Sequence, residues 1–301
     1  MHSNLSLKRR SSTSNCCEPT TTVASGSRAN SDADYALLRR VVLEQSQNVL
    51  DPSRNYLLDI RLSTVMRDAG VTRIAELVQL LRHKHDPELE HAIAEAMTIN
   101  ETSFFRDSRP FELLRTEHLP VLIEQRRNVR ALRIWSAACS TGQETYSLAM
   151  LLTHFPQLAN WNLKIEATDF SSEAIQRAQA GTYHRFEMNR GLPAHNIVRF
   201  FNHSDDAWTV KPELQRICNF RRANLCDQTL TFSEPFDIVF LRNVMLYFSA
   251  DMRKLLLRKI HSQLAPDGLL FLGASEQPAD PALWVPTLAG GTCYYRPRPA
   301  I

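Results

Sequence analysis

Apolar residues recur at three- and four-residue spacing through the early part of the chain. The stretches DADYALLRRVVLEQ (32–45), NYLLDIRLSTVMRDAG (55–70), IAELVQLLRHK (74–84) and ELEHAIAEAM (88–97) each draw an apolar stripe along a helix. Asp34 and the Asp86-Pro87 pair have the character of helix starts, and Gly70 that of a helix stop. Nothing between them alternates like a strand. Residues 32–97 are therefore predicted to form a small all-α domain of four helices.

The pattern changes after TINETSFFRDS (98–108). Short apolar runs now alternate with helical spacing. The strand candidates are LRIWSA (132–137), LKIEATD (163–169), ICNFRRA (217–223), FDIVFLR (236–242) and LLFLGAS (269–275). Helices are predicted between them over Glu144–Thr153, Ser172–Gln179 and Ala250–Leu264, and APDGLLFLG reads as a helix end, a turn and a buried strand. Strands that alternate with helices imply an α/β domain, here residues 98–301, with a largely parallel sheet covered on both faces. Such a sheet takes its ligand at the carboxyl ends of its strands, near the switch point. Gly181–Arg216 is too long for a plain connection and carries the apolar pieces IVRFF and WTV, so a small inserted subdomain is expected about 181–216.

Charge alters this picture little. The formal net charge of +3 is too small to imply nucleic acid. Lys8, Arg9, Arg10 and Arg28, against Glu18, account for all of it. They lie in a Ser/Thr-rich stretch, residues 1–31, that reads as a disordered tail. No apolar run follows those basic residues, so neither a secretory nor a twin-arginine signal is expected. No window approaches the ~20 apolar residues of a membrane helix. The six cysteines (Cys16, Cys17, Cys139, Cys218, Cys226, Cys293) include no CxxC pair and no histidine at zinc spacing. Reduced thiols in a cytoplasm are expected, and no metal. His83 and His85 occupy alternate positions on a helix end, point to different faces and read as solvated.

Candidate chemistry begins at IWSAACSTGQETYSLAM (134–150), a strand, a tight turn and a helix. Phosphate loops use several glycines so that backbone N–H groups can reach the anion. Here only Gly142 permits such an approach, and Glu144 would repel a phosphate. A nucleoside-like ligand with positive charge and no phosphate resolves both points; the alternative is that Glu144 only complements the helix dipole. KIEATD ends in Asp169, an acid at a strand end suited to two ribose hydroxyls. Alternatively Asp169 caps the next helix, a task open to Ser171 or Ser172. FLRNVMLYF should bring Arg242, Asn243 and Tyr247 to the ligand face, although Tyr247 also fits an ordinary half-buried aromatic. NETSFFRD sets Asn100, Thr102 and Arg106 between the domains, either to close over a ligand or as a linker anchored by Phe104 and Phe105.

Together these segments, with EATDFSSEAIQRAQAGTY, RRANLCD and LAPDGLLFLGASE, resemble CheR-type chemotaxis receptor glutamate methyltransferases over about Asp34–Tyr295. The most specific part is NxTxFFR combined with FxRNVxxYF in one chain. The resemblance implies a Rossmann-like S-adenosylmethionine-dependent methyltransferase domain with a β-subdomain inserted late in the sheet, behind a helical domain that contacts a receptor. It places cofactor contacts on Asn100, Thr102, Arg106, Glu144, Asp169, Asn224, Leu225, Arg242 and Asn243, with Asp169 on the ribose. Arg106 and Tyr247 are implied at the reacting centre.

Methyl transfer to glutamate suits such a site. A glutamate carboxylate, with a reference pKa of ~4.3, is already a nucleophile near neutral pH, so no general base is required. Attack on a sulfonium methyl group cancels opposite charges and leaves S-adenosylhomocysteine. Alignment and exclusion of water can contribute ~7–11 kcal/mol. The implied partner is the set of cytoplasmic helices of a chemoreceptor, for which Arg54, Arg61 and Arg67, against Asp59, offer a basic stripe or merely a solvated face. This chain has Gln143 and Thr145 where the family loop often has Glu and Pro, changes that spare Glu144. NHSDDAWTVKPELQ is short and lacks the glycine turn that docks a receptor's C-terminal peptide in some relatives, which argues against that docking here. The expected protein is a monomeric cytoplasmic enzyme. The rival readings are a CheR-like cofactor-binding module without turnover and a methyltransferase acting on another protein or a small molecule.

Overall fold

The computed structural model describes residues 30–278 and 280–298. The tail through residue 29, with Cys16 and Cys17, and residues 299–301 lie outside the described residues.

The N-terminal unit comprises α1 (Asp32–Ser46), α2 (Tyr56–Arg61), α3 (Ser63–Asp68), α4 (Ile74–His83) and α5 (Pro87–Ala96). Ser31 caps α1 and Asp34 reaches back to it, a reciprocal capping box. Ser31, grouped with the tail above, is thus part of the helix start, and Asp34 is its third residue. Asp86 caps α5 by accepting the N–H groups of Glu88 and Leu89, with Pro87 in the first turn. The expected second helix is broken in two at Leu62, whose side chain is fully buried in the unit's own core with Leu38, Leu58, Leu77 and Ile93. Each such leucine contributes roughly 1.5–3 kcal/mol by leaving water. His85 pairs with Glu90 at 2.9 Å. Among the described residues no set of three His, Cys, Asp or Glu gathers as a metal site.

A segment not assigned from sequence follows, α6 (Arg109–Leu113) and α7 (Leu119–Arg126), joined by a wider helical turn over Leu114–His118. The sheet then begins with β1 (Ala131–Ala137), α8 (Gln143–Leu152), β2 (Asn162–Asp169) and α9 (Ser172–Ala180). The insertion follows as β3 (Thr182–His184), α10 (Arg185–Met188), α11 (Ala194–Phe200), β4 (Phe201–Ser204), β5 (Ala207–Val210) and α12 (Pro212–Gln215). Its strands form a separate antiparallel sheet in the order β3-β5-β4. It precedes β6 (Cys218–Arg222), so it interrupts the main sheet between the second and third strands rather than late. The chain continues through β7 (Phe236–Leu241), α13 (Ala250–Gln263), β8 (Leu264–Leu272), β9 (Trp284–Ala289) and β10 (Thr292–Pro297).

The main sheet runs β6-β2-β1-β7-β8-β10-β9. β6, β2, β1, β7 and β8 are parallel, while β10 is antiparallel to both its neighbours. β7 is buried at every residue, as a strand covered on both faces must be. The Pro-Asp-Gly turn does not precede β8; it lies inside the strand. Phe236 pairs with Leu264 and Ile238 with Leu269, so Ala265–Gly268 bulge out between them. The β9–β10 hairpin, turned by Gly290 and Gly291, is a further element that the apolar pattern does not predict. Among the described residues no helix is long and apolar enough to cross a membrane.

The two domains meet at several points. Glu95 of α5 accepts the Ser171 hydroxyl at 2.8 Å and the Glu173 N–H at 3.0 Å, at the start of α9. Asn48 forms an antiparallel bridge with Phe248, and the Val49 N–H donates to the Tyr247 carbonyl at 2.8 Å.

Candidate active site

The strand order reverses between β1 and β7. Their last residues, Ala137 and Leu241, are register partners. The loops leaving them therefore open onto one crevice, where α/β sheets hold ligands. A cleft of about 940 Å³, counting its open mouth, occupies that place.

The loop after β1 turns sharply, with Ala138, Ser140 and Gly142 at φ +62°, +49° and +93°. The Ser140 N–H donates to Asp169 at 2.7 Å, and the Ser140 hydroxyl donates to the Asn100 carbonyl at 2.8 Å. Gly142 does not serve ligand approach as expected. A Cβ there would lie 2.9 Å from the Ala178 Cβ and 3.0 Å from the Tyr183 hydroxyl. Its N–H is spent on the Cys139 carbonyl at 3.0 Å. The missing side chain lets α8 pack on α9 and the inserted subdomain.

Asp169 ends β2, buried at the cleft wall. One oxygen accepts the Ser140 N–H and the other the Ser171 N–H at 2.9 Å. Ser171, not Asp169, caps α9, its hydroxyl accepting the Ala174 N–H at 3.0 Å. Burial pushes the Asp169 carboxyl above its ordinary value, against the pull of those N–H groups. Both oxygens retain acceptor capacity.

Glu144 stands in the first turn of α8 and also lines the cleft. It accepts the Ser136 hydroxyl at 2.9 Å and Arg242 at 3.2 Å. Burial pushes its carboxyl up, with Arg242 the main opposing influence. The Arg242 guanidinium, its side chain 2% exposed, also reaches Asp107 at 2.7 Å and the Arg106 carbonyl at 2.9 Å. It thereby ties the 101–107 segment to α8.

That segment is anchored by its phenylalanines and also borders the cleft. Phe104 is fully buried, edge-on to Tyr183 and Phe201 at 5.0 and 5.7 Å, and the Phe105 N–H donates to the Ser147 hydroxyl at 2.9 Å. On this anchor Asn100, Thr102 and Arg106 line the cleft. Arg106 donates to the Glu101 carbonyl at 2.9 Å.

Asn224, Leu225, Arg242, Asn243 and Tyr247 complete the set, so every residue singled out for the cofactor or the reacting centre borders this one cleft. The Asn224 amide is largely engaged within the protein, donating to the Gln45 carbonyl at 2.8 Å and accepting the Cys226 N–H at 2.9 Å. The three stripe arginines separate. Arg54 and Arg61 line an adjoining cavity of about 660 Å³ with Arg39 and, again, Tyr247. Arg61 holds the carbonyls of Met97 and Thr98 at 3.2 Å each. Arg67 lies outside that cavity, pairing with Asp68 at 3.2 Å. Asp59 is occupied by the Tyr35 hydroxyl at 2.9 and 3.0 Å.

Other lining residues had not been singled out: Ser46 and Asn48 from the helical unit, and Ser140 and Phe170 from the loops. Phe170 directly follows Asp169, the last residue of β2, so the end of that strand is also the signal for it. The cleft thus combines apolar walls (Ala138, Phe170, Leu225) with two buried carboxylates. Those acceptors, with Arg106 and Arg242 beside them, fit a nucleoside that carries two hydroxyls and a positive charge.

The fold and the cleft fit an S-adenosylmethionine-dependent methyltransferase. Residues 100–287 match the family model described as CheR methyltransferase, SAM binding domain, and residues 33–98 match CheR methyltransferase, all-alpha domain. The chain belongs to the CheR methyltransferase family. It is 42% identical over 250 residues to chemotaxis protein methyltransferase 1 of Pseudomonas aeruginosa, covering 81% of this chain and 90% of that one. Chemotaxis protein methyltransferase Cher2 of Pseudomonas putida is 40% identical, with 79% and 88% covered. The chemotaxis protein methyltransferase of Escherichia coli is 33% identical, with 82% and 85% covered. Among solved structures, the glycopeptide N-methyltransferase MtfA complexed with S-adenosylmethionine is similar at a TM-score of 0.36 and 11% identity, over 66% of this chain and 68% of that one.

Proposed function

We propose that the enzyme methylates glutamate side chains on the cytoplasmic helices of a chemoreceptor, giving glutamyl methyl esters, and that it works as a cytoplasmic monomer. The names of its relatives support a role in chemotaxis. The observation that carries the substrate reading is the position of Tyr247. It borders both the cofactor cleft and the cavity lined by Arg39, Arg54 and Arg61. An acidic side chain drawn in by those arginines from the helical unit arrives beside the cofactor.

When bound, S-adenosylmethionine supplies a methyl group on a positively charged sulfur. In this reading Asp169 accepts the two ribose hydroxyls, one on each partly engaged oxygen. Leu225 offers an apolar wall to the base, while Asn100, Thr102, Asn224 and Asn243 supply polar contacts around the cleft. The Glu144–Arg242 pair keeps the 101–107 segment closed over the cofactor and its own charges balanced. Arg106 steers the acceptor carboxylate, and the Tyr247 hydroxyl orients it. Arg54 and Arg61 recognise the acidic target; Arg67 takes part only if the target helix extends beyond the cavity.

The test is to incubate the protein with methyl-labelled cofactor and chemoreceptor cytoplasmic fragments, then assay base-labile methyl esters. Labelled receptor is expected. Cofactor binding without label on any matched receptor would sink this reading in favour of a binding module or a different target.

A further inference from the structure

Glu276 has no role in the mechanism above, yet its carboxylate is held at every side by backbone N–H groups. It is buried at 7% exposure and accepts four backbone N–H groups. One oxygen takes those of Asn243 and Gly273 at 2.7 and 2.8 Å; the other takes those of Val244 and Met245 at 3.0 and 2.7 Å. Three consecutive N–H groups converging on one point form an anion-binding nest, and here the protein's own carboxylate fills it. Asn243 accordingly adopts a left-handed φ of +60°.

A second observation shows that the arrangement is built tightly. A Cβ on Gly273 would stand 2.5 Å from the Glu276 carboxylate, 3.0 Å from the Asn243 N and 3.0 Å from its side-chain amide. A side chain there would push the carboxylate out of the nest. The short helical turn Met245–Tyr247 is built directly on the clamped residues, with the Tyr247 N–H donating to the Val244 carbonyl at 3.2 Å and the Phe248 N–H to the Met245 carbonyl at 3.1 Å. The carboxylate therefore sets the start of the turn that carries Tyr247 to the cleft.

We propose that Glu276 is a positioning residue that fixes Tyr247 for methyl transfer, an inference that rests on the reading of Tyr247 as a group at the reacting centre. A carboxylate can satisfy all four N–H groups because each oxygen accepts two. Glu276→Gln keeps the shape but turns one oxygen into an NH2 group, leaving two N–H groups facing a donor. The turn then shifts, and displacement of a reacting group by about an ångström can cost ~100-fold in rate.

Transfer rates of the full chain separate this from a merely structural role through a double-mutant cycle. In the wild-type background Glu276→Gln is expected to lower kcat by ~10- to 100-fold, with a smaller change in the KM for cofactor. In the Tyr247→Phe background the same change should lower kcat at saturating cofactor by less than about threefold, because the group it positions is already gone, while any effect through the clamped Asn243 falls on the KM for cofactor in both backgrounds. Should Glu276→Gln fail to fold, Glu276→Asp replaces it in the same cycle, keeping the charge but falling short of the nest. Equal losses in both backgrounds, or no loss in either, overturn the inference while leaving the wild-type esters in place. A wild type that makes no ester overturns the reading beneath it, and the inference with it.

Discussion

Asp169 shows how a single side chain can be both spent and available. Its two N–H partners fix the carboxylate against the loop after β1, and two acceptor positions remain. Asp169→Ala is expected to abolish the rise in Tm caused by S-adenosylhomocysteine, a rise worth ~2.7 kcal/mol at a hundred times Kd. An undiminished rise would remove Asp169 from the site. Because burial holds this carboxyl above its ordinary value, it protonates at a higher pH than an exposed aspartate. Product affinity should fall as the pH is lowered into that raised range, and Asp169→Asn should show a flatter profile; identical profiles would refute the assignment. The stability sign is the reverse. Asp169 and Glu144, both raised, impose their cost on the ligand-free fold as pH climbs through their folded values. Residues at the ends of buried strands were legible because chain direction alone delivers them to the ligand face. Gly142 was misread because its neighbours, Ala178 and Tyr183, are distant in sequence. Glu276 stayed hidden because nothing local shows that the loops after β7 and β8 lie side by side.

At the scale of elements, the parallel strands were visible as buried runs, whereas the outer hairpin was not. β9 alternates with exposed positions and carries Pro286, as edge strands do. Its Gly290-Gly291 turn between two apolar runs was the available signal. The α6–α7 stretch was obscured by Pro120. The chain accommodates that proline by widening the preceding turn, so that it falls in the opening turn of α7. The α8–α9 contact gives a direct test. Gly142→Ala should destabilise the fold by about 2–4 kcal/mol, combining left-handed strain with overpacking. Gly70→Ala, where a Cβ meets nothing within 4 Å, should cost only about 1 kcal/mol from backbone strain. Urea unfolding measures both, and equal losses would contradict the packing role.

For the whole molecule, the division into a helical unit and an α/β domain followed from the change of apolar period at about residue 98. What periodicity does not reveal is how far the first supports the second. Gln45 anchors Asn224, and Glu95 braces Ser171, whose N–H in turn supports Asp169. Glu95→Ala should therefore weaken product binding several-fold, with helical content unchanged, because one interdomain acceptor for two donors is lost. Calorimetric titration showing wild-type affinity would disprove that coupling.

The pairing of Asn48 with Phe248 gives this coupling a mechanical form. The helical unit is joined to the catalytic domain by the covalent link near residue 98 and again by this bridge, so the backbone closes a ring around the cleft. A ring resists opening in a way that a tether does not. A clasp made of hydrogen bonds can also release and re-form without breaking the chain.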